Sequence, residues 1–498
     1  MATTTNPVWW QGKERTVRYQ PDGEAFVNTN GKARFSRAIY GTNTGFRFET
    51  SDYPEFGLYM PNFGGSVYLA VQSKGKTTWI KDLATVSNRF VSGLRTYEMT
   101  DPARLGKGQL IISALAHADR DGLLLKVEAK QLPADAKLLL FYGGANDSRF
   151  SRSGDIGADP VNSFYIEPNK CLNNHFALSD NRFTLTYGKT PKSITGVFDS
   201  PTTLALVDGS YIDHLHALIN SKGDDKPLLM ATLPLGDQAR YVSLHTTPKQ
   251  DGVNQSIQAS DLAPAFQNAL AYRAKVAARV KVATPDPFLN TLGGILAGAE
   301  DAIWEAPNYL HGAIGWRTPL TGWRGAYVAD VFGFHDRART HFKAYGASQV
   351  TQVPVTLPHL QDETMNLARS KKAWGTPMYS NGYITRAANS TSQMHHYDMN
   401  LVYVDALLWH LNWTGDLDYA REVFPLLQRH LAWEKNTFDP DNDALYDGYC
   451  CIWASDGLQY NGGVSTHSSA YNYRANKLTA EIAKLIGEDP IPYQTEAD

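Results

Sequence analysis

Two Gly-Trp-Arg triplets, Gly315-Trp316-Arg317 and Gly322-Trp323-Arg324, stand seven residues apart and bring two indoles and two guanidinium groups into one stretch. Flat apolar rings with polar rims suit the C–H faces of sugars, and neighbouring Arg, Asn, Asp and His suit the hydroxyls. Eight of the eleven Trp fall between Trp304 and Trp453, so aromatic surface is concentrated in the second half of the chain. Any single Trp is more often core than ligand surface. The paired triplets argue for a surface that meets a ligand.

Cleaving a glycosidic bond takes one carboxylic acid to protonate the leaving oxygen and a second carboxylate to activate water or attack carbon. Asp456, in Trp453-Ala454-Ser455-Asp456, is the expected acid, because desolvation beside Trp raises a carboxyl's pKa. Its expected partner is Asp398, in Met394-His395-His396-Tyr397-Asp398-Met399-Asn400, or Glu363, in Gln361-Asp362-Glu363-Thr364. Asp398 has the alternative of a helix N-cap, and Glu363 that of a plain surface residue. Trp316, Arg317, Trp323, Arg324, Tyr397, Asn400 and Trp453 are expected to hold the sugar. So are His467, Tyr471, Asn472 and Arg474, from a run too rich in polar and aromatic groups to be only a helix cap.

Other chemistries are weaker. Asp439, Asp441 and Asp443 alternate as in a calcium loop, but the Gly and Glu that complete such a loop are missing, and a polar turn is the better reading. Adjacent His395 and His396 point apart on a helix, which disfavours a two-His zinc face. The chain has no G-x-S-x-G, P-loop or G-x-G-x-x-G motif. No metal or cofactor is expected. A polysaccharide lyase is the rival enzyme, with His396, Tyr397, Asn472 and Arg474 as its proton-abstracting set; a non-catalytic carbohydrate binder is the third reading.

The elements that position these residues change period midway. From Phe26 to Thr246 short segments rich in β-branched, Leu and aromatic residues are punctuated by Gly, Asn, Asp and Pro, the rhythm of a large antiparallel sandwich. At Asp261 a cap, Pro264 in the first turn and an apolar stripe through Phe266, Leu270, Ala274 and Val276 announce a helix. Helices are then expected over 287–304, 325–333, 336–345, 399–413, 416–434 and 468–486, with Pro425 kinking the fifth or drawing its start forward. The expected fold is α+β: a sandwich over 1–258, a linker helix over 259–285 and a helical catalytic domain over 286–498. The irregular stretch 350–394 is too long for a mere connector.

Composition sets the bounds. The chain has 498 residues, 43% hydrophobic and 19% charged, which excludes a disordered chain and suggests two or three domains. A formal charge of -3 argues against nucleic acid and membrane surfaces as partners. No stretch reaches the roughly 18 to 20 apolar residues that span a bilayer. Three Cys exclude a disulfide framework. The first ten residues lack a signal-peptide pattern, so export to the periplasm or beyond requires a signal already removed.

The sandwich, linker helix and aromatic-bearing helical hairpins together resemble the six-hairpin, (α/α)6-barrel glycosidases. The run Cys451-Ile452-Trp453-Ala454-Ser455-Asp456, continuing into Thr466-His467-Ser468-Ser469-Ala470-Tyr471-Asn472-Tyr473-Arg474, is similar to the bacterial family of domain of unknown function 4450. Through glycoside hydrolase family 142, that resemblance implies β-L-arabinofuranosidase activity on plant pectin. The Trp-x-x-Asp ending at Asp456 also resembles the acid-bearing loop of inverting disaccharide phosphorylases. The toroid of lyases usually precedes their sandwich, which is against the lyase reading.

A toroid of twelve helices occupies roughly 350 to 400 residues. Only 237 residues follow Asp261. The expectation is a truncated toroid, completed by a partner chain or by self-association, with an oligosaccharide or polysaccharide as substrate.

Overall fold

The computed structural model describes residues 8–10, 13–15, 18–34, 37–41, 43–60, 62–148, 165–189, 192–199, 201–246, 256–312, 317–322, 325–364, 371–449 and 463–498. Two compact units divide the chain, Met1–Ala302 and Ile303–Asp498.

The first unit is built on two antiparallel sheets. The ten-stranded sheet runs, from edge to edge, His175–Ser179, Arg182–Tyr187, Lys192–Phe198, Arg240–His245, Gly122–Lys130, Gln109–Ala116, Leu94–Thr100, Thr85–Val91, Ala25–Thr29 and Gln20–Asp22. The second sheet runs Thr203–Asp208, Pro227–Pro234, Lys137–Gly143, Phe63–Ser73, Phe56–Tyr59, Arg47–Thr50 and Arg37–Tyr40, with Lys76–Trp79 paired to Phe63–Ser73. Alternation of side chains decides the core. Phe48, Leu58, Val67, Leu69 and Val71 of one sheet share a buried cluster with Tyr97, Ile112, Leu123, Leu125, Val242 and Leu244 of the other. Between the last two strands of the second sheet the chain makes one short helix, α1 (Leu215–Ile219).

Helix α2 (Leu262–Ala277) begins where the sequence indicated, after a capping box in which the Asp261 carboxylate accepts from the Gln258 backbone at 2.8 Å. Its Phe266 and Ala269 pack on Leu115 and Leu124, on the outer face of the larger sheet. The boundary expected at residue 286 falls elsewhere, because α3 (Pro287–Ala302) belongs to the sandwich unit. Phe288 lies against Phe26 with ring centroids 6.1 Å apart, and the Thr291 hydroxyl donates to the Gly23 carbonyl. The fully buried Asp301 receives Tyr272 at 2.8 Å and Arg273 at 3.3 Å. These contacts hold α3 to α2 and to the strands.

The second unit is helical: α4 (Gly325–Ala329), α5 (His335–Gly346), α6 (Asp398–Thr414), α7 (Leu417–Phe438), α8 (Thr466–Ile486) and α9 (Ile491–Ala497). Among its described residues the strands are one pair of two-residue segments, Trp304–Glu305 with Asn308–Tyr309. Gly415, at φ 60°, ends α6 in the left-handed conformation that glycine adopts without steric cost, and its amide returns to Leu411. Asp416 then caps α7 through the Tyr419 amide at 2.9 Å. Helix α7 continues through Pro425 as one element. The tight Gly415-Asp416 connection reverses the chain, so the end of α7 returns to the level at which α6 begins. Helix α8 starts near that level too, since its second turn reaches Glu434 of α7. One end of the unit therefore collects the first turns of α6 and α8, the last turns of α7 and the loops that join them.

A cluster of large rings fills this end. Met378, Tyr379, Tyr383, Tyr397, Trp433, Phe438, Tyr446 and Tyr449 form one buried group with Val350. The tyrosines earn their burial by hydrogen bonding, as buried phenols must. Tyr379 and Tyr383 both donate to the His395 carbonyl, at 3.0 and 3.2 Å, and the Tyr449 amide donates to the Tyr397 hydroxyl at 3.0 Å.

Candidate functional site

Asp398 stands in the first turn of α6 and is fully buried. The helix cap is Tyr397, so the alternative of Asp398 as an N-cap does not hold. Tyr397 stacks on Phe438 at 4.4 Å and 25°, fixing the approach to the helix.

Asn400 spends its amide on the backbone. It accepts from the Ile384 amide at 2.6 Å and donates to the Ile384 carbonyl at 2.9 Å, all buried. The side chain expected to hold sugar here fastens the irregular segment 350–394 to α6. The preceding His395 and His396 rings lie 4.6 Å apart. Burial, with His396, Arg386 and Lys372 adding like charge, pushes His395 down to about 3, so it is neutral at physiological pH.

A second carboxyl that the sequence reading did not single out lies beside Asp398. Glu434 of α7 is fully buried, and its Oε2 accepts from Asn472 of α8 at 3.0 Å. Its Oε1 makes no hydrogen bond. Burial pushes Glu434 up to about 8; the Asn472 hydrogen bond opposes this and the Asp398 charge adds to it. Asn472 also donates to the Ser468 carbonyl at 3.1 Å, so its amide nitrogen reaches between helices. One turn before Glu434, His430 is fully buried without a hydrogen bond on either ring nitrogen and is pushed down to about 3 by burial.

The remaining expected residues scatter. Arg474 pairs with Asp405 of α6 at 2.7 Å, and Asp405 also accepts from Tyr327 of α4 at 2.7 Å. Two residues apart on a helix, Arg474 and Asn472 face different neighbours. His467 and Tyr471 are both partly exposed, with rings 5.1 Å apart. Arg317 pairs with Glu305 at 3.1 Å. Glu363 is exposed. Trp316, Trp323, Arg324, Trp453 and Asp456 lie outside the described residues.

The Asp439, Asp441 and Asp443 oxygens come within 4.8 Å of one another. The Asp439 carboxylate is already taken by the Asp443 amide at 3.0 Å, the Ala444 amide at 3.1 Å and Lys435. These bonds lie in the turn after α7.

Glu434 carried a signal in the sequence. It falls on the stripe Val423, Leu427, His430, Leu431, Phe438 that α7 buries, and a carboxyl in a buried stripe needs a special partner.

With the geometry in place, comparisons with known proteins locate the chain. Residues 60–270 match the family described as "Domain of unknown function (DUF4450)". That match lies in the sandwich and the first half of α2, away from the 451–474 motifs that carried the resemblance. No curated protein matches the chain. Among solved structures, the chain is similar to a bacterial glucoamylase complexed with acarbose, at TM-score 0.50 and 11% identity, covering 94% of this chain and 67% of that one. It also matches the family GH92 alpha-mannosidase from Bacteroides thetaiotaomicron in complex with mannoimidazole, at TM-score 0.32 and 9% identity, covering 92% of this chain and 61% of that one. The glucoamylase likeness shows the fold, a sandwich followed by a helical region.

Proposed function

We propose that the chain is a glycoside hydrolase that releases a terminal sugar from a branched plant polysaccharide, with β-L-arabinofuranosidase action on pectin as its specific form. The observation that carries this reading is the buried Asp398 carboxyl at the loop-bearing end of the helical unit, set among aromatic rings beside a second carboxyl held neutral. The fold shared with a sugar-binding glucoamylase supports it. Asp456 is the acid and Asp398 the carboxylate that activates water or attacks carbon. Trp316, Trp323, Arg324 and Trp453 supply the surface for the sugar ring, with His467 and Tyr471 at its edge. Glu363 is the alternative carboxylate. A second chain covering the helical unit is part of the same proposal.

Incubation with a panel of aryl glycosides and pectin fragments tests it. The expected result is release of a reducing sugar that Asp456→Asn and Asp398→Asn each lower by roughly 100-fold or more. Products that absorb in the ultraviolet as unsaturated uronates would instead identify a lyase. Release unchanged by both substitutions would end the assignment of these two carboxyls.

A further inference from the structure

Arg474 stands on a half-exposed face of α8, and its guanidinium makes one hydrogen bond, from Nε to Asp405 Oδ1 of α6 at 2.7 Å. Asp405 is held in turn from another helix, since its Oδ2 accepts from the Tyr327 hydroxyl of α4 at 2.7 Å. Burial, with the Asp405 charge adding to it, holds the Tyr327 phenol well above its usual range, so the hydroxyl keeps its proton and remains the donor. The carboxylate is shut in and the guanidinium is open: the Asp405 side chain is 13% exposed and that of Arg474 43%. An arginine–carboxylate pair is strongest as a two-pronged fork. Asp405 instead divides its oxygens between Tyr327 and Arg474, which leaves Nη1 and Nη2 without a hydrogen bond among the described residues.

The neighbours on that face indicate what would meet this edge. Tyr471 and His467 lie one and two turns earlier on the same stripe of α8, both partly exposed, with rings 5.1 Å apart. One turn later Lys477 lies 5.6 Å from the centre of the Tyr473 ring and pairs with no carboxylate among the described residues. Two rings, a guanidinium edge and a second cation along one face suit a sugar that carries a negative charge. The rings take C–H faces, and Nη1 and Nη2 take the two oxygens of a carboxylate.

We propose that this face is a subsite for a uronic acid residue of the substrate, in which Arg474 receives the sugar carboxylate and Asp405 and Tyr327 are positioning residues that hold the guanidinium. Its place in a reaction rests on the hydrolase reading; its recognition of a carboxylated sugar does not.

Isothermal titration calorimetry of the full chain with galacturonic acid oligomers, run beside the same oligomers as methyl esters, tests this. The acid is expected to bind about 10-fold or more tightly than the ester. Arg474→Lys keeps a charge and loses the fork, so it should remove most of that preference. Asp405→Asn should weaken the acid by roughly 3- to 10-fold and leave the ester where it was, whereas a merely structural role would move both. Equal binding of acid and ester, binding of neither, or a preference that survives Arg474→Lys would each overturn the subsite. The comparison of acid with ester in the wild type decides the question even where a variant does not fold. Inorganic phosphate that displaces the oligomer as well as free galacturonate does would mark a general anion site and end the sugar assignment. Sugar release from aryl glycosides by the same chain bears on the hydrolase reading alone, so the two can fail separately.

Discussion

Asn472 of α8 donates to the Glu434 carboxyl of α7 at 3.0 Å, with both side chains shut away from water. This bond spans 38 residues of sequence and ties the end of one long helix to the start of the next.

The raised Glu434 makes stability depend on pH with a definite sign. Its folded pKa, about 8, lies above the ordinary value of 4.5, so its contribution is complete below 4.5 and is lost as pH rises through about 8. Glu434→Gln cannot ionise. Its stability relative to wild type is expected to climb between pH 5 and pH 8 and then level off, by an amount on the order of a few kcal/mol, with the melting temperature rising in step. Thermal unfolding followed by circular dichroism across that range checks it; parallel curves would show that Glu434 is ionised throughout.

Removing Asn472 should act in two ways. Asn472→Ala strips the donor from a buried carboxyl, at a cost of about 1–3 kcal/mol. The hydrogen bond also lowers the pKa of Glu434, so the alkaline loss of stability should move to higher pH. Urea titrations at pH 6 and pH 9 separate the two, and an unchanged pH response would mean that the bond does not feel the Glu434 charge.

Asn400 holds an amide and a carbonyl of the irregular segment. Asn400→Ala orphans both backbone groups of Ile384 and is expected to cost about 2–4 kcal/mol. Asn400→Asp keeps the acceptor and loses the donor, so it should fall between. The near-ultraviolet dichroism of the Tyr379, Tyr383 and Tyr397 cluster would report the loosening before the helices unfold; a full aromatic signal in Asn400→Ala would contradict the fastening role.

The sandwich carries its own acid sensitivity. One hydroxyl, Ser243 Oγ, bonds His117 Nε2 at 2.7 Å and His245 Nδ1 at 2.8 Å. Its single hydrogen can serve one imidazole, which is then the neutral acceptor, while the other ring donates to the hydroxyl oxygen. Burial lowers both, His245 to about 3, with Arg120 and Arg182 adding like charge and Asp119 opposing. A depressed histidine contributes stability that is present above 6.5 and is lost as the pH falls toward 3. His245→Phe should therefore flatten the decline of melting temperature over that interval, and an equally steep decline would show that the titrating groups lie elsewhere.

Arg273 and Asp301 test the junction of α2 and α3. Breaking this buried pair from one side, as in Arg273→Leu, takes the guanidinium away from the buried Asp301 and is expected to cost about 3–5 kcal/mol. Arg273→Leu with Asp301→Leu should recover part of that loss. A double variant no better than the single one would place the energy in packing and not in charge.

The sandwich and the helices were legible in the sequence because their signals are local. The punctuated strand segments and the cap at Asp261 each need only a few neighbouring residues. The site was legible in part. Asp398 stood out from its aromatic surroundings, but Asn400 looked like a sugar-binding amide, since nothing nearby in sequence shows that Ile384 consumes it. Glu434 was passed over for the same reason. Its meaning depends on Asn472 and Asp398, one 38 residues later and one on another helix. Pro425 was expected to disturb α7, whose run from Leu417 to Phe438 outlasts it on the strength of buried side chains.

The placement of α3 bears on how this fold can be cut and rejoined. The span that matches the sequence family stops at residue 270, inside α2. A fragment ended there would lose Arg273, which donates to the Tyr40 carbonyl at 2.9 Å, and Phe288, which covers Phe26. The edge of sequence similarity is thus no edge in the physical sense. An exchange of sandwich units between related chains keeps every one of these contacts when the crossover falls between Ala302 and Ile303, and severs them when it follows the similarity.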